Sequence, residues 1–195
     1  FSRGNLLAQP YEWLEVSIFY ADIPNKPYKA SLGQSYKDKG FNTKLLLFKE
    51  NEKTPQIAIG LSDFAGTGFH SSEYIVASYG INKLDMHFGL GWGQLNGSSQ
   101  KFDNPFGYIT DNFKTRPTDF GKGGTVDPSR YFSGQSASPF IGISYSLRNN
   151  LLLKIETDTT NTEEGRISYD NPESDFSLGL DYVINDNFSL GASFE

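Results

Sequence analysis

From Leu84 to Gly93 the chain reads Leu84, Asp85, Met86, His87, Phe88, Gly89, Leu90, Gly91, Trp92, Gly93, with every large apolar residue at an even position. Successive side chains of a strand point to opposite faces, so this period of two makes one wholly apolar face and one face of Asp85, His87 and glycine. That division suits a sheet between lipid and a polar interior and predicts a transmembrane barrel strand. The pattern recurs. Leu14, Val16, Ile18 and Tyr20 alternate with Trp13, Glu15, Ser17 and Phe19, and Ile57, Ile59 and Leu61 with Ala58, Gly60 and Ser62. Further alternating runs are Ile141 to Leu147, Leu151 to Glu156, Phe176 to Tyr182 and Phe188 to Phe194. Phe41 to Glu50 and Tyr74 to Ile81 are apolar enough for strands but divide their faces less cleanly. Together the segments predict an all-β chain of about nine strands, an antiparallel up-and-down transmembrane β-barrel.

The connections sort by length. Asn51 to Thr54, Asn82 to Lys83, Arg148 to Asn150 and Asn185 to Asn187 are short and rich in turn formers. They alternate with the long connections Ala21 to Lys39, Asp63 to Ser72, Gln94 to Pro139 and Thr159 to Asp175. Outer-membrane barrels show this asymmetry of short periplasmic turns and long external loops. Interfacial aromatics then place Tyr20 and Trp92 near the outer rim, and Tyr145, Tyr182 and Phe188 near the periplasmic rim. An odd strand count leaves mismatched edges, so either a tenth strand lies within Gln94 to Pro139 or the chain is a portion of a larger barrel. The end of the sequence inside a strand pattern favours the larger barrel, and any export signal is expected upstream of Phe1 or already removed. The domain reading is one barrel domain or barrel fragment over 1–195, with 94–139 a long extracellular or plug-like loop.

Composition hides this architecture. With 37% hydrophobic residues and a mean hydropathy of -0.46 over 195 residues, the average reads as that of a water-soluble chain. In a barrel only every second strand residue faces lipid, so no run approaches the roughly 18 apolar residues of a membrane helix. A net charge of -6 without clustered Lys and Arg argues against nucleic acid as a partner. The lack of cysteine removes disulfides, thiolate metal sites and cysteine nucleophiles.

Several motifs carry a family resemblance. Gly33-Gln34-Ser35-Tyr36-Lys37-Asp38-Lys39-Gly40-Phe41, then Asp63-Phe64-Ala65-Gly66-Thr67-Gly68 and Ser72-Glu73-Tyr74-Ile75-Val76-Ala77-Ser78, resemble the YjbH-like exopolysaccharide biosynthesis proteins. Gly89-Leu90-Gly91-Trp92-Gly93 continues the likeness, with weaker echoes in Trp13-Leu14-Glu15-Val16, Ile23-Pro24-Asn25, Asn104-Pro105-Phe106 and Tyr131-Phe132-Ser133-Gly134. The resemblance implies a bacterial outer-membrane β-barrel associated with synthesis or export of an exopolysaccharide or capsule, without catalysis. The partners it implies are outer-membrane lipid, the exopolysaccharide and other polysaccharide-export proteins. Family members are several times longer, which agrees with a portion of a larger protein.

Candidate contact residues follow from the face assignment. Asp85 and His87 sit on adjacent rungs of the polar face, placed either to meet sugar hydroxyls or ions or simply to line a wet lumen. The pair lacks the third ligand of a metal site. Lys154, Glu156 and Asp158 share one face and, with Glu15 and Asp181, make a charged interior of ion pairs or glycan contacts. Phe102, Phe106, Tyr108, Phe113, Phe120, Tyr131 and Phe132 make 94–139 too aromatic for an indifferent linker. Phe102, Phe106, Tyr108 and Tyr131 are candidates for stacking on sugar rings, with plugging or partner packing the alternative. The Gly-rich loop Asp63 to Gly68 lacks the lysine of a P-loop, and its glycines suit a compact reversal folded against the barrel mouth. No cofactor, metal or catalytic residue is assigned.

Three functions compete: an export conduit or scaffold in the outer membrane, an outer-membrane hydrolase using His87, and a soluble carbohydrate-binding β-sandwich. No serine stands beside His87 in the sequence, although barrel closure could bring one. The lipid-ready apolar faces favour the first.

Overall fold

A computed structural model describes residues 2–29, 33–68, 70–117, 126–157, 159–160, 176–185 and 188–194. Among them the chain forms one antiparallel sheet of eleven strands: β1 (Ser2–Tyr11), β2 (Leu14–Lys29), β3 (Gln34–Phe48), β4 (Gln56–Ser62), β5 (Ser72–Ile81), β6 (Leu84–Gly93), β7 (Phe102–Asp103), β8 (Ser136–Arg148), β9 (Leu151–Thr157), β10 (Phe176–Asn185) and β11 (Phe188–Phe194). Each strand pairs with its neighbour in sequence, except that β8 pairs with β6 along most of its length and with the two-residue β7 at Ala137 and Ser136. The meander is open: β1 pairs with β2 and β11 with β10, and the described pairings do not join the two outer strands.

The register keeps the alternating pattern in phase across the sheet. Ile18 stands opposite Leu6 and Phe41, Phe88 opposite Ala77 and Ile141, and Leu178 opposite Ile155 and Phe194. These residues define an outer face that is apolar and open: Ile18, Phe88, Ile141 and Leu178 are each 46% to 51% exposed. On the inner face Ser17, Phe19, Asp38, Ala58 and Ser78 are buried although no second sheet covers them. Part of their cover is the Asp63–Gly68 loop, with Asp63 beside Phe19 over Gly40 and Thr67 on Asp38.

At one end the described turns have at most seven residues; at the other the β4/β5 and β6/β8 connections are longer, while only four residues separate Lys29 of β2 from Gln34 of β3. Glu12–Trp13, 49–55, Asn82–Lys83 and Asn149–Asn150 lie at one end; Asp63–Ser71 and 94–135 lie at the other. The expected asymmetry holds for the Asp63–Ser71 and 94–135 connections and fails for Ala21 to Lys39. The strand count is eleven, because β1 and β7 were not expected. Leu6 and Leu7 break alternation and Pro10 removes a donor, a poor strand signal that an edge strand nevertheless tolerates. The tenth full strand is therefore N-terminal, and the described residues of 94–139 contribute β7 and the start of β8. Ala21 to Lys39 is not a loop: β2 and β3 continue through it as a tall hairpin. Trp13 sits in the β1/β2 turn, and β8 begins at Ser136, inside the expected long loop. The mixed faces of Phe41 to Glu50 have a local cause, since the register shifts between Leu46 and Phe48, and a bulge there lets consecutive apolar residues serve both faces.

Candidate functional site

The inner wall carries the predicted polar residues in rows. One row runs Gln56, Ser78, His87, Gly142, Glu156 and Ser177 across six strands. His87 Nδ1 lies 2.8 Å from Ser78 Oγ, so the serine that the sequence did not place beside it comes from the adjacent strand. Glu156 is two strands further along, with the side-chain-free Gly142 between. The next row sets Asp85, Ser144 and Lys154 side by side, and Lys154 Nζ pairs with Asp181 Oδ2 at 2.5 Å. With Glu156, Ser177 and Gly179, this ion pair lines a polar groove along β9 to β11. Glu15 stands apart, opposite Lys44 on β3. Asp158 and Phe120 lie outside the described residues.

The two central sequence motifs meet at the longer-loop end. The Asp63–Gly68 loop folds back onto β3: Phe64 N donates to Phe41 O at 3.1 Å, and Thr67 N to Lys39 O at 2.9 Å. The approach is close enough that a Cβ at Gly66 would lie 2.1 Å from Lys39 O and one at Gly40 2.2 Å from Asp63 Oδ1. Both motifs thus require glycine where they cross. Thr67 Oγ1 donates to Asp38, His70 N donates to Asp63 Oδ2 at 3.1 Å, and His70 Nε2 lies 3.8 Å from Asp38 Oδ2. Burial pushes the Asp63 carboxyl up to about 7, helped by the neighbouring Asp38 charge, while burial pushes His70 down from its ordinary value. The expected compact reversal is present, folded against β3, and what it encloses is an acidic pair rather than a phosphate cradle.

The described residues of the connection 94–135 pack at the same rim, Leu95 and Asn96 against the inner-face residues Gly91 and Ser138 and others against Trp92 and Glu73. Trp92, fully buried, contacts the rings of Phe106 and Phe132 at 5.6 and 5.2 Å between centroids, and Phe106 in turn meets Phe113 at 5.4 Å. Arg116 Nη1 bonds Glu73 Oε2 at 2.7 Å and Nη2 bonds Oε1 at 3.1 Å, a two-pronged grip between a loop and β5. Asn104 Nδ2 donates to the carbonyls of Phe113, Phe132 and Gly134 at 3.0, 2.9 and 2.9 Å, and its Oδ1 accepts from Phe106 N at 3.1 Å. Phe132 holds φ 56, costly for a bulky residue, and is fixed there by Asn104 at its carbonyl and Glu73 at its N–H. Of the loop aromatics, Phe106 is committed to this cluster and Tyr131 Oη donates to Phe64 O. Phe102, 55% exposed, sits on the outer face opposite Ala137, and Tyr108 is 79% exposed.

The rims differ in their aromatics. At the short-turn end Tyr11 and Trp13 stack at 5.4 Å between centroids, and they, Tyr145, Tyr182 and Phe188 are all exposed. At the other end Trp92 is not a rim anchor, because the 94–135 connection covers it, and Tyr20 lies mid-strand because β2 runs on to Lys29. Among the described residues no helix is long and apolar enough to cross a membrane, which leaves β-barrels untouched, and no cluster of His, Cys, Asp or Glu is arranged to hold a metal.

An open antiparallel meander of eleven strands, with one face largely polar and the other apolar, is the class of structure that the geometry defines. The chain belongs to the YjbH family, whose model, described as "Exopolysaccharide biosynthesis protein YbjH", matches residues 1–195. It is 34% identical over 192 residues to the "Uncharacterized lipoprotein YjbH" of Escherichia coli (strain K12), an alignment covering 96% of this chain and 27% of that protein. The chain therefore spans about a quarter of the length of the curated relative it matches. No solved structure matches.

Proposed function

We propose that this sheet is part of the wall of an outer-membrane β-barrel that takes part in export or assembly of an exopolysaccharide or capsule, as conduit or scaffold, without catalysing a reaction. The observation that carries the reading is the outer face. From Leu6 on β1 through Ile18, Phe41, Phe88 and Ile141 to Leu180 and Leu190, exposed apolar side chains run across the sheet. A continuous apolar surface of that extent is costly in water and natural in hydrocarbon. The aromatic group at the short-turn rim adds an interfacial belt, and the inner face supplies the wet, charged lining of a lumen. Family membership supplies the process, and the word "lipoprotein" in the relative's name agrees with membrane association. Exopolysaccharide and other export components are the partners on this reading, and the two unpaired edges of the sheet close against further strands of the whole protein.

The test is envelope fractionation of the full-length protein, with gel mobility compared before and after boiling. Outer-membrane recovery with a heat-dependent mobility shift is expected. Recovery in the soluble fraction without a shift would overturn the barrel and favour a carbohydrate-binding sandwich.

A further inference from the structure

We infer that the inner wall carries a subsite for a neutral pyranose ring, built on Tyr74 with Glu15 and Lys44 beside it. The inference rests on the glycan-export reading above and deepens it. In the row Glu15, Lys44, Gly60, Tyr74, Gly91, the tyrosine is flanked by glycine on both sides. Its ring occupies the space above Gly60, where an added Cβ would lie 2.2 Å from Tyr74 Cε1 and Cζ, and Phe140 meets it edge-on at 6.3 Å with an interplanar angle of 81°. One ring face is thus spent on the backbone of β4. The same tyrosine lines a polar hollow of about 180 Å³, together with Glu15, Ser17, Asn42, Lys44 and Ser62.

The polar groups of that hollow divide into two sets. Asn42 is fixed: its Nδ2 donates to Ser17 Oγ at 2.9 Å and its Oδ1 accepts from Asp63 N at 2.9 Å, which ties the hollow to the junction of the two family motifs. Glu15 and Lys44 are opposite each other in the register, yet neither side chain has a hydrogen-bonding or ion-pair partner among the described residues. They offer one acceptor carboxylate and one donor ammonium beside an aromatic ring. A pyranose presents that complement, hydroxyls that both donate and accept around an apolar C–H face, and small-molecule sites work through a few convergent polar groups on an apolar floor. Charge selects among sugars. Glu15, Asp38, Asp85, Glu156 and Asp181 share this face with Arg3, Lys44 and Lys154, an acidic balance that repels a polyanionic chain.

The experiment titrates the full-length protein in detergent with maltoheptaose, cellohexaose and mannohexaose as neutral probes and oligogalacturonate as the polyanion, by calorimetry. Binding of at least one neutral probe is expected, weakened about tenfold or more by Lys44→Gln and by Glu15→Gln, which corresponds to about 1.4 kcal/mol each. Tyr74→Phe retains most of the affinity, and Tyr74→Leu loses it. Wild-type affinity in both charge variants, preference for oligogalacturonate, or no binding of any neutral probe overturns the subsite. Heat-dependent gel mobility of each preparation separates the two readings: a normal shift with a failed titration removes the subsite alone, whereas a missing shift in the wild type removes the barrel beneath it.

Discussion

Arg116 and Glu73 meet across 43 residues of sequence as a two-pronged ion pair, with side chains 10% and 1% exposed. Carboxylate and guanidinium match each other's forked geometry, and Arg116 also donates to Arg130 O at 2.7 Å and Ser71 O at 3.2 Å. Removing one partner strands the other charge in a poorly hydrated place, which costs roughly 3 to 5 kcal/mol. Glu73→Gln should therefore lower the urea midpoint of the detergent-solubilised protein and open the 94–135 connection to trypsin. An unchanged cleavage pattern would show that the aromatic cluster holds the connection by itself.

Asn104 makes a sharper demand, because a single amide serves three carbonyls and one N–H. Asn104→Ala loses those bonds and takes this donor from the half-buried Phe132 and Gly134 carbonyls, at about 1 to 3 kcal/mol for each group left unsatisfied, while Phe113 O still accepts from Gly134 N. Asn104→Asp keeps the shape but faces the three carbonyls with an acceptor-only carboxylate. Aspartate should be the more damaging substitution at neutral pH, read as a lower melting temperature than that of Asn104→Ala. The reverse order would mean that volume, not donation, is what the position supplies.

Much of this fold was legible because the outer face obeys one rule, alternation, over strand after strand. Phe88, Ile141 and Leu178 declare their side through their neighbours two residues away. The rest depends on pairs that no local pattern contains. Ser78 reaches His87 through strand register, and Asp38 reaches Asp63 and His70 through a loop reversal. Edge strand β1 and the tall β2/β3 hairpin were illegible for another reason: proline and polar residues interrupt the alternation by which a strand is read. For the rim aromatics, composition announced packing in 94–139 without telling that Phe106 would cover Trp92.

Asp63 sets a pH dependence whose sign can be worked out. Its folded-state pKa of about 7 stands above the ordinary 3.8, so the folded protein holds a proton that the unfolded chain has released between those values. Stability linked to that proton is complete below the unfolded pKa and is lost as pH rises through about 7. Three units correspond to roughly 4 kcal/mol. Melting temperature should fall between pH 5 and pH 8 in the wild type, and Asp63→Asn should flatten that fall and be the more stable form at pH 8. A fall of equal depth in the variant would assign the titration to another group.

Gly89 leaves room for the Phe140 ring, since a Cβ there would lie 2.1 Å from Phe140 Cζ. Alanine must push the ring from its place over the strand and against Tyr74, an overpacking cost of about 1 to 3 kcal/mol. Gly89→Ala should destabilise the protein, and Phe140→Leu in the same chain should recover part of the loss by removing the ring edge. Additive losses in a double-mutant cycle would sever the two positions.

Ser78 and His87 are the pair on which a hydrolase reading would rest. His87 Nδ1 meets Ser78 Oγ at 2.8 Å, the contact by which a base activates a hydroxyl nucleophile. The two are directly opposed residues of a continuous strand pair, and Ser78 is only 7% exposed, so an incoming ester would have to reach a hydroxyl under the side chains of the wall. The contact then works as a cross-strand hydrogen bond, worth about 0.2 to 1 kcal/mol to the sheet. Ser78→Ala and His87→Ala should leave surface exopolysaccharide at the wild-type level, with a small drop in melting temperature. If either variant abolished export while its outer-membrane level and heat-dependent mobility stayed normal, the wall would hold a reactive centre, and the non-catalytic reading would fall.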